Sequence, residues 1–215
     1  MTCCGERQHA WDRFRVEEQW APGDLRCFVV GENPGDLESA YFYDPTRAVS
    51  VRTIVLRELH ALGQISAPNL AAFRSGGFLF DHGIRCHLSD DEVKAEARLA
   101  RRYASPRCAD AKHLPPLVAR ATAVWVMGYI ARNAVAAAYS EFPRDQRKIS
   151  REPYPRQVPG APRFFVSRYV TRAPRNQVAE IFAGLDSFLA TANSRLERSG
   201  ATPAAQPDRW ASCGP

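Results

Sequence analysis

Four apolar residues, Cys27-Phe28-Val29-Val30, run directly into Gly31-Glu32-Asn33-Pro34-Gly35. An apolar run this short, stopped by a turn, reads as a strand covered on both faces, the kind found inside a parallel sheet. The turn is constrained at nearly every position. Pro34 fixes its own φ and pushes Asn33 towards extended geometry, while Gly31 and Gly35 permit close approach or positive φ. Glu32 and Asn33 are thereby held at the carboxyl end of a buried strand, where open α/β sheets place their ligands.

The rest of the chain repeats this alternation. Phe78–Phe80, Ala123–Met127 and Arg163–Val170 read as further strands. Helical spacing of apolar residues predicts helices over Thr46–Leu62 and Val178–Leu196. Ser89-Asp90-Asp91-Glu92 is a capping-box pattern that predicts a helix from about Asp90 to Tyr103. Short helices are expected near Trp11–Trp20 and Leu114–Ala121, and another from Gly128 to about Ser140. Prolines at 143, 153, 155, 159 and 162 predict an extended loop over Glu141–Pro162. These elements predict an α/β fold: a three-layer α/β/α domain over 25–196 with a mostly parallel, four-stranded sheet. Residues 1–24 form an N-terminal extension, and 197–215, rich in Ser, Gly, Ala and Pro, are expected to be a disordered tail. The turns at 31–36, 81–87 and 171–176 can converge on one edge of such a sheet.

A length of 215 residues, 45% apolar and 24% charged, suits one globular domain. No apolar run reaches membrane-spanning length and no secretory pattern opens the chain, so a cytoplasmic monomer without membrane contact is expected. In that compartment the six cysteines stay unbridged. The net charge of +6 is unevenly placed. Between Pro143 and Arg175 nine basic residues stand against two acidic ones, which leaves the remainder slightly acidic. A polyanion-binding face and a solvated basic loop both account for that segregation. Neither a P-loop nor a Gly-x-Gly-x-x-Gly fingerprint is present.

The order of these motifs resembles the uracil-DNA glycosylase superfamily. Gly31-Glu32-Asn33-Pro34-Gly35 resembles the first motif in two forms at once, the Gly-x-Asn-Pro-Gly of mismatch-specific members and the Gly-Glu-x-Pro-Gly of iron–sulfur members. His82-Gly83-Ile84-Arg85-Cys86 resembles the Asn-x-Val-Lys-Cys segment of the iron–sulfur branch. Val124-Trp125-Val126-Met127-Gly128 is similar to the strand–Leu-Gly–helix unit. Ala173-Pro174-Arg175-Asn176 resembles the end of the His-Pro-Ser-Pro-Arg-Asn motif of single-strand-selective members.

The resemblance implies a uracil-DNA glycosylase-like fold and a hydrolase that flips a deaminated or damaged base out of DNA for excision repair. By the same resemblance Asn33 orients the attacking water, with Glu32 competing or cooperating. Phe42 or Tyr43 stacks on the base, His82 takes the place of the base-reading Asn, and Arg172 and Arg175 meet flanking phosphates. The histidine of the final motif falls on Thr171, which offers one neutral donor; a shift of register brings in Ser167, and Arg168 or Arg172 would supply positive charge. Because His82 and Thr171 depart from the pattern, a nucleic-acid-binding relative that lost the chemistry is the alternative. No lysine stands in these turns, so a Schiff-base lyase step is not implied. No cofactor is expected; the ligands of the iron–sulfur branch's 4Fe-4S cluster would fall on Cys4, Cys86 and Cys108, but Cys3 and Cys4 are adjacent rather than spaced.

Overall fold

A computed structural model describes residues 10–33, 41–86, 88–101, 113–142, 156–158 and 163–199. Four strands, β1 (Cys27–Gly31), β2 (Phe78–His82), β3 (Ala123–Met127) and β5 (Phe164–Ser167), form a parallel sheet flanked by helices. A two-residue strand, β4 (Arg156–Gln157), adds antiparallel to β5, giving the order β2-β1-β3-β5-β4. The expected three-layer α/β/α architecture and its four parallel strands are present. The added strand falls inside what the proline spacing marks as loop, because a two-residue pairing is dictated by its neighbour and carries no pattern of its own.

Every residue of the four parallel strands is buried, as runs without alternation require. Residues in register across parallel strands share a face, so Val29, Phe80, Trp125 and Phe165 line one side. The long last helix α8 (Arg175–Ser199) covers that side, with Phe182 edge-on to Trp125 and Phe188 stacked on Phe165. The neighbouring residue Phe164 faces the other way and meets Tyr139 and Phe142, just beyond helix α7 (Tyr129–Ala138).

Several boundaries move for local reasons. The predicted Trp11–Trp20 helix is two short ones, α1 (Ala10–Arg13) and α2 (Val16–Trp20), split where Arg15 adopts φ 46°. Helix α3 (Ser50–Ala61) starts later than the expected Thr46, because 41–49 turns to bury Tyr41, Phe42 and Tyr43. Helix α4 (Leu70–Ser75) escapes the apolar pattern, although Asn69 caps it by accepting from the Ala72 N–H at 2.8 Å. Helix α5 (Asp90–Arg101) has the expected capping box: Glu92 accepts from the Ser89 N–H at 2.8 Å, and the Glu92 N–H reaches Ser89 Oγ at 3.4 Å. Helix α6 (Leu114–Arg120) leads into β3 as expected, and β5 stops at Ser167 because Val170–Arg172 coils into a 3₁₀ turn. Among the described residues no helix is long and apolar enough to cross a membrane.

At the outer edge of β2 the Phe80 N–H would face no strand partner. The Tyr43 hydroxyl accepts from it at 2.7 Å, and burial pushes that phenol far above its ordinary pKa. Tyr43→Phe orphans this buried donor, so the urea midpoint should fall by an amount equivalent to about 1–3 kcal/mol with an unchanged slope. An unchanged midpoint would show that the edge does not need the hydroxyl.

Candidate functional site

From β1 the chain crosses to β2 on one side and later to β3 on the other, so strand order reverses between β1 and β3. Open α/β sheets leave a crevice beyond the carboxyl ends of such a pair. Glu32 follows β1 there and Gly128 follows β3.

Glu32 is 3% exposed, and both its carboxylate oxygens are engaged. Oε2 accepts from Arg172 Nη1 at 2.7 Å; Oε1 accepts from the Ile130 N–H, in the first turn of α7, at 3.4 Å. A carboxylate suits that position, where helix N–H groups lack partners. The close fit depends on Gly128, which has φ +88°. A Cβ at Gly128 would lie 2.7 Å from Glu32 Cδ. Arg172 comes from the 3₁₀ turn after β5, its side chain 62% exposed and its guanidinium 5.5 Å from the Tyr169 ring centroid. Burial foremost, and then the nearby Glu32, raise the Tyr169 phenol well above its usual range. Asn33 lies beside this cluster, half-buried. Thr171 and Arg175 are exposed on the same turn and at the start of α8. Ser167 is committed inward, accepting from Trp125 Nε1 at 2.9 Å and donating to the Arg168 carbonyl.

His82 ends β2 and is 4% exposed. Its ring lies edge-on to Phe80 and 5.7 Å from Tyr41, and makes no hydrogen bond among the described residues. Burial pushes its pKa down to about 4, with the opposing pull of Asp81 second, so the imidazole is neutral at physiological pH. Its carbonyl accepts from His113 Nε2 at 2.9 Å. The next two residues continue the β1–β2 pairing, with Gly83 N–H on the Gly31 carbonyl at 2.7 Å and Ile84 N–H on the Glu32 carbonyl at 3.1 Å.

Phe42 and Tyr43, expected to stack on a base, are core residues: Phe42 is stacked on Phe80 at 4.2 Å and Tyr43 holds the β2 edge. Tyr41 is the aromatic of that loop packed against His82. Cys86 is buried with Ile84, Leu88 and Ile130, whereas Cys4 and Cys108 lie outside the described residues. Among the described residues no group of three or more His, Cys, Asp or Glu could hold a metal ion. Cys27 is a core thiol that burial raises to about 12. Most of the basic 143–162 loop also lies outside the described residues.

Asp81 adds a charged centre beside His82 that the motif pattern does not single out. It is fully buried, takes Arg85 Nε and Nη2 on Oδ2 at 2.9 and 2.7 Å, and accepts the His82 N–H on Oδ1 at 2.7 Å. Arg85 in turn lies 4.1 Å over Trp11. The signal was available: a carboxylate inside an apolar strand needs a cation, and Arg85 stands four residues on.

Comparison with known proteins finds no family model that matches the chain and no curated protein similar to it in sequence.

His82 makes stability depend on pH. With an unfolded value near 6.5 and a folded value of about 4, the unfolded chain binds the extra proton. Stability from this group is therefore complete above pH 6.5, declines as pH falls towards 4, and then levels off, an upper bound of roughly 3 kcal/mol. Urea melts across that window should show the decline in wild type and a shallower one in His82→Gln; equal slopes would remove His82 as the cause. Gly128→Ala should lower stability by about 1–3 kcal/mol through positive φ and the crowded Glu32 carboxylate. A thermal melt within error of wild type would contradict that packing.

Proposed function

We propose that this protein is a monofunctional DNA base-excising hydrolase of the uracil-DNA glycosylase type, acting on uracil or a related damaged base. The observation that carries the reading is the Glu32–Asn33 turn at the switch point of the sheet, closed by the Arg172 turn. An extruded nucleotide needs an amide or carboxylate to orient water, a surface that reads the base, and cations for the phosphates.

Asn33 is the residue assigned to the water. Both Glu32 oxygens are occupied, while the neighbouring carboxamide lies at the half-buried rim. Its oxygen would accept a hydrogen bond from the water as the water oxygen attacks the anomeric carbon and the bond to the base nitrogen breaks, the water's proton ending on the departed base. The departing base carries the electron pair, and Thr171 supplies a neutral donor on that side. Neutral His82 would present an N–H or a lone pair to the base edge, with Tyr41 beside it, while Arg172 and Arg175 attract the flanking phosphates. An iron–sulfur cluster is not needed for any of these steps.

A binding protein without chemistry is the second reading. The observation favouring it is that Thr171 offers no charge to the departing base. A panel of single- and double-stranded oligonucleotides carrying uracil, hypoxanthine or mismatches separates the two. Alkali-labile abasic product should form on at least one substrate and fall by about 10²-fold or more in Asn33→Ala. Binding without product on any substrate would select the second reading, and undiminished cleavage by Asn33→Ala would remove that side chain from the mechanism.

A further inference from the structure

Arg172 carries two demands that conflict. Its side chain is 62% exposed on a turn whose other exposed residues include Arg168 and Arg175, a cationic rim open to a polyanion. Yet its Nη1 lies 2.7 Å from the Oε2 of a carboxylate that is 4% exposed and cannot follow it outward. A guanidinium has donors to spare for a second acceptor. Its charge, however, is already matched by Glu32, and a phosphate on the same group would be brought within a few ångströms of that carboxylate. Like charges at that separation repel, most strongly where one is buried. Arg168 is held differently, by the neutral Gln177 oxygen at 3.2 Å, so no anion competes for it there.

We propose that Arg172 exchanges partners, holding Glu32 in the free protein and a DNA phosphodiester in the complex. This rests on the nucleic-acid reading above and adds to it a site that the protein fills with its own carboxylate until a strand arrives. Glu32 acts as the resident competitor: it fixes the turn when no ligand is present and lowers the affinity of the rim for single phosphates. The flexible Arg172 side chain is the moving part, because Glu32 is fixed against Gly128 and the first turn of α7. Tyr169, beneath the guanidinium, offers a ring face along which it can turn without losing all its contacts.

The test is equilibrium binding to an oligonucleotide carrying a tetrahydrofuran abasic analogue, which has no base to excise, at several salt concentrations. Removing the competitor should tighten binding: Glu32→Gln is expected to gain roughly three- to tenfold over wild type. Glu32→Asp keeps the charge but withdraws the carboxylate by one methylene, and should gain in the same direction. It also serves if Glu32→Gln fails to fold. Arg172→Ala should bind more weakly, with the salt slope reduced by about 0.9 on duplex. In the Arg172→Ala background the Glu32→Gln gain should vanish.

A gain that persists without Arg172 would be a general effect of charge and would overturn the exchange, as would equal or weaker binding by both Glu32 variants. Absence of binding by every variant would overturn the exchange together with the DNA reading. A gain with no excision of any base would support the exchange and leave only the glycosylase chemistry refuted.

Discussion

A carboxylate at the top of β1, with almost no access to water, has to be neutralised from the protein. Glu32 is neutralised from two sides, by the first turn of α7 and by Arg172. Those partners belong to segments about 100 and 140 residues further on, so one side chain fastens the ends of β1, β3 and β5 together. With neither partner the charge would cost several kcal/mol, whereas the α7 N–H stays on Oε1 if Arg172 turns away. The requirement propagates into the sequence: Gly128 must lack a side chain and adopt φ +88°, since the space its Cβ would need holds the carboxylate. The crevice beyond β1 and β3 is thus shaped by the way a charge is buried.

The β2 side of the sheet top follows the same logic with different partners. Asp81 is paired with Arg85, Arg85 lies over Trp11, and Phe14 stacks on Tyr41, which borders His82. The polar N-terminal stretch is therefore tied to the turn it precedes by more than 60 residues in sequence: Val16 is fully buried and Trp11 nearly so. Changes around Trp11 should be felt at His82 through this chain of contacts.

What could be read from sequence divides along a physical line. Uninterrupted apolar runs mark β1, β3 and the start of β2, because two-sided burial leaves no other composition available, whereas aromatic, β-branched alternation over Arg163–Val170 marks β5. The capping box of α5 was equally readable, being contained in four consecutive residues. Features decided by a distant partner were not. The left-handed Arg15 splits a helix whose pattern looks continuous, and β4 exists only because β5 is beside it. At the site, Glu32 and Arg172 were each legible as polar residues at strand ends, but not their pairing. Phe42 looked like a free aromatic in a loop; only the fold brings Phe80 4.2 Å beneath it.

Two adjacent polar residues at the end of one strand need not share a task. Of Glu32 and Asn33, it is Glu32 whose carboxylate meets the first turn of α7. The one directed towards α7 meets unsatisfied N–H groups and a glycine, an environment that selects a carboxylate. The other stays half-buried at the rim, where a carboxamide can donate and accept without carrying charge into the crevice. In the proposed function this makes the pair Glu-Asn a division of labour between architecture and ligand. Exchanging the two residues would leave an amide unable to neutralise Arg172, and would place a carboxylate at the half-buried rim.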